Sequence, residues 1–268
     1  MSPRIAVPQG HSAADYAAQV LPEYCRALEL AGGEPVPLAL SLSNEEIAGA
    51  AASCDAVLLP GSRADVNPEK YNAARDPHTN PSDPPRDNVD ELLLQDAYSL
   101  RKPVLAICFG LQSLNVWRSG TLIQRLVGPR RHFGVPGNPA PPHPVVVTPG
   151  SLLAAILRQS AGGDSGHGGR SSGLEQGAEH DLPLAAGESY LVNSSHHQAA
   201  QLVGDGLRAV AWCPDDQVIE ALEGTSPGHW VVAVQWHPER MLEDAHARAL
   251  FRAFVEAAHR TPLAIDNR

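Results

Sequence analysis

PVLAICFGLQSLNV, residues 103–116, is the stretch from which the rest of the chain is read. Val104 to Cys108 is a short apolar run of the kind that forms a fully buried strand, and from Gly110 the pattern changes to an amphipathic helix. Cys108 stands at the seam. An unpaired cysteine in an apolar run is most often one more small buried side chain. At the carboxyl end of a strand in an open parallel sheet, where ligands bind, it can instead be a thiol held up for attack. The N-terminus of the following helix presents unpaired N–H groups that favour an anionic sulfur. Partner residues elsewhere in the chain have to decide between the two.

Working outward, short runs rich in β-branched residues alternate with helical patterns. That alternation predicts an α/β fold, a mostly parallel central sheet with helices on both faces. The strand candidates are Arg4 to Pro8, Pro35 to Leu40, Ala56 to Leu59, Val104 to Cys108, Val145 to Thr148, Tyr190 to Asn193, Leu207 to Trp212, Val218 to Leu222 and Trp230 to Trp236. Helices are expected over Ser12 to Ala31, Asp90 to Leu100 and Leu242 to Ala258, with Asp87 as an N-cap and Arg86 paired to Asp90. Residues 62–86 carry five prolines and are expected to form an irregular loop. Residues 161–180, rich in glycine and serine, read as a flexible insertion. Alternation resumes after each, so residues 1–268 are expected to form one domain, without internal repeats.

A base and its orienter are available in VVAVQWHPER, residues 231–240. Val231 to Trp236 reads as a buried strand with His237 and Glu239 at its carboxyl end. Two residues apart in extended backbone point the same way. The Glu239 carboxylate can therefore meet one imidazole nitrogen while the other faces the thiol. That gives a nucleophile, a proton carrier and an orienter. LLPGS, residues 58–62, ends another strand with a glycine whose backbone can approach a ligand closely. The N–H groups of Gly61 and Phe109 are the expected oxyanion donors, worth roughly 3 kcal/mol each.

Bulk properties exclude several classes. The 268 residues are 43% hydrophobic and 19% charged, with a formal net charge of −10 spread along the chain and no basic stripe. Nucleic acid is not an expected partner. No apolar run approaches the length of a membrane helix, and the N-terminus lacks a secretory pattern, so a cytoplasmic location is expected. The four cysteines, Cys25, Cys54, Cys108 and Cys213, form no C-x-x-C pair and read as reduced thiols. His196 and His197 are adjacent, which on a strand makes them diverge, and no third ligand follows at a familiar spacing. No metal and no cofactor are expected. A homodimer is compatible with the sequence.

ICFGLQSLNV at 107–116, the distant HPE and the PGS before a proline-rich loop together resemble the class I glutamine amidotransferase superfamily. VNPEKY at 66–71, RDNVDE at 86–91, GTLIQRL at 120–126, VNSSHHQ at 192–198, VIEALE at 218–223 and VQWHPE at 234–239 resemble its γ-glutamyl-γ-aminobutyrate hydrolase branch, the peptidase C26 group. The match runs in order from about residue 1 to 255. It implies a flavodoxin-like fold and hydrolysis of a small γ-glutamyl substrate through a thioester on Cys108, with His237 as base and Glu239 as its orienter. It also implies a glutamyl-holding role for Gln112 and a pocket lined by Ser62, Ser195, His196 and His197. The chain departs from the pattern at Ala106, where a glycine is common, at Phe109, where an arginine is frequent, at Arg125, where an acid is usual, and in the 161–180 insertion. Two other functions share these motifs: a glutaminase subunit that passes ammonia to a separate synthetase, and a non-catalytic protein that binds glutamyl compounds.

Overall fold

The computed structural model describes residues 1–135, 138–159 and 187–260; the expected insertion at 161–180 lies outside the described residues. The strands are β1 (Arg4–Pro8), β2 (Glu34–Leu38), β3 (Ala56–Leu59), β4 (Val104–Ile107), β5 (Leu122–Ile123), β6 (His143–Val147), β7 (Glu188–Val192), β8 (Ala199–Ala200), β9 (Leu207–Trp212), β10 (Ile219–Gly224) and β11 (Val231–Val234). The helices are α1 (Ala14–Leu30), α2 (Asn44–Ala52), α3 (Pro84–Leu100), α4 (Phe109–Trp117), α5 (Leu152–Arg158) and α6 (Ala245–Arg260).

Nine strands form one sheet in the order β2-β1-β3-β4-β11-β10-β9-β6-β7, and β5 pairs with β8 alone. From β2 across to β11 every pairing is parallel. From β11 onward to β7 every pairing is antiparallel. The α/β architecture expected from the alternation is therefore present, with its parallel half built around β4 and an antiparallel meander added at one side.

Alternation along the central strands sets two cores. Ile5, Val7, Leu58, Leu105, Ile107, Val232 and Val234 face one side with α1, α5 and α6; Ala6, Val57, Leu59, Val104, Ala106, Val231 and Ala233 face the other with α2, α3 and α4. Both faces being covered explains why these strands read as continuous apolar runs rather than as half-polar ones. Register then brings the ends together: Leu59 lies beside Ala106, and Val234 beside Ile107. Cys108, the PGS turn and His237 thus emerge at one edge of the sheet, at the carboxyl ends of β4, β3 and β11.

Some boundaries differ from the sequence expectations. Helix α3 starts at Pro84, not Asp90, and its N-cap is Asp83 rather than Asp87. Proline at the first helical positions is pre-shaped for a helix start, so Pro84-Pro85 opens α3 instead of prolonging the loop. Asp87 lies inside the first turn and pairs with Lys70 at 3.0 Å. The loop after β3 also contains a 3-10 turn, Pro68–Tyr71.

Candidate active site

Cys108 has φ 52° and ψ −104°, the left-handed side of the map for a residue with a side chain, and it caps α4 immediately after β4. Such a conformation costs on the order of 1–3 kcal/mol and persists only where surrounding structure enforces it. Gly110 shows one enforcing contact: a Cβ there would lie 2.3 Å from the carbonyl oxygen of Leu59. Helix α4 therefore sits hard against the end of β3, and the chain must turn sharply at Cys108 to enter it. Ala106, in place of the common glycine, is fully buried between Leu59 and Ala233 and its methyl is absorbed by the sheet core.

Across the sheet edge, His237 Nδ1 lies 2.7 Å from Glu239 Oε1, both side chains being buried. Asn193 grips the His237 backbone twice, its Nδ2 donating to the His237 carbonyl and its Oδ1 accepting from the His237 N–H, each at 2.8 Å. Burial opposes a charge on the imidazole, but the Glu239 carboxylate, followed by the Cys108 sulfur, outweighs it and raises the His237 pKa to about 10. Gly61 brings the two sides into contact: its α-carbon has room for no side chain, since a Cβ would meet His237 Cε1 at 2.9 Å and Cys108 Cβ at 3.7 Å. Cys108, His237 and Glu239 are thus gathered as expected from segments more than a hundred residues apart.

The oxyanion expectation needs one correction. The Gly61 N–H donates to the hydroxyl of Tyr24 at 3.0 Å, so this donor is already committed. Tyr24 is buried, and that burial pushes its pKa well up, keeping the hydroxyl neutral. The Phe109 N–H, first in α4, has no acceptor among the described residues. The Phe109 ring is backed by Arg86, whose guanidinium lies 4.9 Å from its centroid. Wholly buried, Arg86 also donates to the carbonyls of Pro60 at 2.8 Å and Gly10 at 3.1 Å and to Asp90 at 2.7 Å. One cation thereby ties the turn carrying Gly61 to the turn carrying Cys108.

Cys108 opens on a cavity of about 110 Å³ whose walls include Ser62, Phe109, Gln112, Ser195, His196 and His197. The pocket residues expected from the sequence therefore do converge. Their committed contacts differ, however. Gln112 donates from Nε2 to the Gln198 carbonyl and to Gln235 Oε1, both at 3.2 Å, and so also anchors the wall it lines. Ser62 Oγ accepts from the Ala64 N–H at 3.0 Å. His197 Nε2 lies 2.9 Å from Asp65 Oδ2 at the mouth. His196 lines the pocket as well, while its Nε2 lies 3.6 Å from Glu220. Burial lowers the His196 pKa to about 4 and raises that of Glu220 to about 7. Phe133, His196 and His197 also line a larger adjoining groove of about 510 Å³ with Arg125, Arg130 and Arg131.

Tyr24, Asn193 and Gln235 are functional-site neighbours not expected from the sequence, and Arg86, whose expected pair with Asp90 is present, had no expected link to the site. Asn193 had a signal, lying inside the VNSSHHQ motif. Tyr24 had none beyond its place on the buried stripe of α1.

A cysteine on a strained strand-to-helix turn thus faces a histidine oriented by a glutamate at the end of an α/β sheet. The peptidase C26 family matches residues 4–239, and the chain belongs to that family. It is 32% identical to the gamma-glutamyl-gamma-aminobutyrate hydrolase of Escherichia coli O157:H7, over 90% of this chain and 87% of that one. It is 35% identical to a Mycobacterium tuberculosis protein named "Putative glutamine amidotransferase Rv2859c", over 91% of this chain and 69% of that one. In fold it is similar to a "putative gmp synthase subunit a protein" of Thermoplasma acidophilum, with TM-score 0.58 and 16% identity over 97% of this chain and 95% of that one. No described helix is long and apolar enough to cross a membrane.

Proposed function

We propose that this chain hydrolyses the γ-glutamyl amide bond of a small γ-glutamyl amine, such as γ-glutamyl-γ-aminobutyrate, through a thioester on Cys108. The observation that carries this is His237, held on Glu239 and facing a cysteine whose backbone strain turns it into a cavity. His237 takes the thiol proton as the sulfur attacks the γ-carbonyl carbon. The Phe109 N–H stabilises the negative oxygen that develops. His237 then protonates the departing amine as its C–N bond breaks, leaving a glutamyl thioester. Water, giving a proton to His237, attacks the thioester carbonyl; the C–S bond breaks, glutamate leaves and the thiol returns.

The adjoining groove supports an amine half with an anionic tail. Arg125 lies in it, contacting His78 at 3.3 Å and forming no ion pair among the described residues. Arg130 is neutralised by Asp215. Arg131, also in the groove, bonds only the neutral oxygens of Asn138 and Pro139, so among the described residues two cations without an ion pair lie next to the scissile site and favour a carboxylate such as that of γ-aminobutyrate over a polyamine.

A glutaminase that supplies ammonia to a synthetase is the second reading, favoured by the name of the mycobacterial relative and by the exposure of Val127, Phe133 and Val135 beside the groove. Glutamate release by the isolated chain separates the two. The panel is γ-glutamyl-γ-aminobutyrate, γ-glutamyl polyamines, γ-glutamyl anilides and glutamine. Turnover of γ-glutamyl-γ-aminobutyrate well above glutamine, reduced roughly 10³-fold or more in Cys108→Ala, is the expected result. Inertness toward the whole panel, unchanged by Cys108→Ala, sinks the hydrolase; slow turnover confined to glutamine favours the ammonia-delivering subunit.

A further inference from the structure

Behind the wall of the active-site cavity, His132, His143, His196 and Glu220 converge, all buried, with one ligand atom from each within 4.8 Å of every other. Around Glu220 Oε1 stand His132 Nδ1 at 3.5 Å, His143 Nε2 at 3.4 Å and His196 Nε2 at 3.6 Å. These separations are too long for hydrogen bonds. Glu220 Oε1 and Oε2, His143 Nε2 and His196 Nε2 are buried atoms without any hydrogen-bond partner among the described residues. Four such atoms at one point are a large cost for a fold to carry.

The outer nitrogens explain how the inner ones are set. His143 Nδ1 lies 3.1 Å from the Pro144 carbonyl, and His196 Nδ1 lies 3.0 Å from the Gln198 carbonyl. A carbonyl only accepts, so each of these nitrogens carries the proton and each Nε2 turns a lone pair inward. His132 Nε2 lies 2.9 Å from the Asp216 carboxylate, which leaves its Nδ1 as the acceptor. The Ser194 hydroxyl, 3.3 Å from that Nδ1, donates its hydrogen to the His132 carbonyl instead. Three lone pairs and a carboxylate oxygen thus point at one another, an arrangement that a bound cation satisfies at all four atoms at once. An outer N–H on a carboxylate or carbonyl is also the pattern that orients metal-bound histidines.

We infer that His132, His143, His196 and Glu220 form a closed structural site for a borderline divalent ion, zinc foremost. A tetrahedral zinc ion with bonds of about 2.1 Å places its ligand atoms about 3.4 Å apart; the three Glu220-to-histidine spacings are close to this, and the ligand atoms all lie within 4.8 Å of one another, so a small contraction completes the site. Three imidazoles and one carboxylate suit zinc over calcium or magnesium. With four protein ligands the ion has no open position, so its work is to hold structure. It would fasten the segment 193–198, which lines the cavity, and the segment around His132 to strands β6 and β10. The groove of about 510 Å³, lined by both His132 and His196, gives it a way in.

The test uses the full chain carrying Cys108→Ser, which removes the catalytic thiol as a competing zinc ligand. After incubation with Zn²⁺ and desalting, elemental analysis is expected to find about one zinc per chain, with a melting temperature lowered on the order of 5 °C by EDTA. Replacing zinc with Co²⁺ is expected to give the strong visible bands of a tetrahedral ion without a sulfur-to-cobalt band in the near ultraviolet. Glu220→Gln and His143→Gln are each expected to lose the metal and the EDTA sensitivity. If these variants fail to fold, the stoichiometry and cobalt spectrum of the Cys108→Ser chain still decide. Failure of that chain to retain zinc overturns the inference. So does a sulfur-to-cobalt band, which would place the ion on Cys213 with Asp216 and His132.

Discussion

At the scale of single residues, two oxygens compete for His237 Nδ1, and distance ranks them: Glu239 Oε1 at 2.7 Å and the Tyr24 hydroxyl at 3.5 Å. Only the first is a strong, charge-assisted hydrogen bond. Glu239→Gln removes the charge that holds the imidazole protonated while keeping the shape. It is expected to lower kcat by about 10²- to 10⁴-fold and to move the alkaline limb of the kcat/KM profile to lower pH. An unshifted alkaline limb would mean that His237 does not depend on Glu239. Tyr24 acts elsewhere, on the Gly61 amide. Tyr24→Phe leaves that buried N–H without an acceptor and is expected to destabilise the protein by about 1–3 kcal/mol in urea unfolding, with kcat within about threefold of the parent. A rise in kcat would reveal Gly61 as a second oxyanion donor that the tyrosine restrains. Cys108, His237 and Glu239 were legible because each stands where an apolar run stops. Tyr24 was not, since its contacts are to residues 37 and 213 positions away and its own segment looks like any amphipathic helix.

At the scale of elements, the strained turn between β4 and α4 depends on how closely the helix packs on β3. Gly110→Ala drives a methyl into the Leu59 carbonyl, a backbone atom that cannot rotate aside. The helix must lift, at a cost of roughly 1–3 kcal/mol. Because the same movement carries Cys108 away from His237, the expected signature is a joint loss of stability and glutamate release. Gly49, within α2, supplies the contrast: a Cβ there meets nothing within 4 Å. Gly49→Ala is expected to stabilise the chain by roughly 0.5–1 kcal/mol in the same urea titration, through helix propensity alone. A stable, active Gly110→Ala variant would remove the packing explanation for the turn. Element identity was readable for β3, β4 and β11, because burial on both faces makes them uniformly apolar. The start of α3 was not, because Pro84-Pro85 continues a proline-rich loop and only the three-dimensional path shows that it is the first turn of a helix.

At the scale of the whole molecule, the fold brings together groups that no spacing rule connects. His132, His143, His196 and Glu220 come from four separate segments, and the adjacency of His196 and His197, the feature visible in the sequence, is irrelevant to their meeting. The same long-range assembly gives stability a pH dependence whose sign can be worked out. His237 has a folded pKa raised to about 10 from an ordinary 6.5. Between these values the folded state holds a proton that the unfolded chain has released. Its contribution is complete below about pH 6.5 and is lost as pH rises toward 10. Cys25, Cys54 and Cys213 act in the same direction but later: burial raises each above an ordinary 9.0, so the unfolded chain begins to lose those protons only near pH 9. Tyr24, Tyr71, Tyr98 and Tyr190, raised from 10.0, enter later still. Glu220, raised to about 7, and the histidines lowered by burial also titrate near pH 7, so the interval from about pH 8 to 9 is where His237 dominates. Urea unfolding across that interval is expected to show the parent chain losing stability steadily. His237→Gln, which cannot titrate, is expected to be flatter up to pH 9 and then to decline with the thiols. Parallel curves for the two proteins over that interval would show that the imidazole is not held protonated.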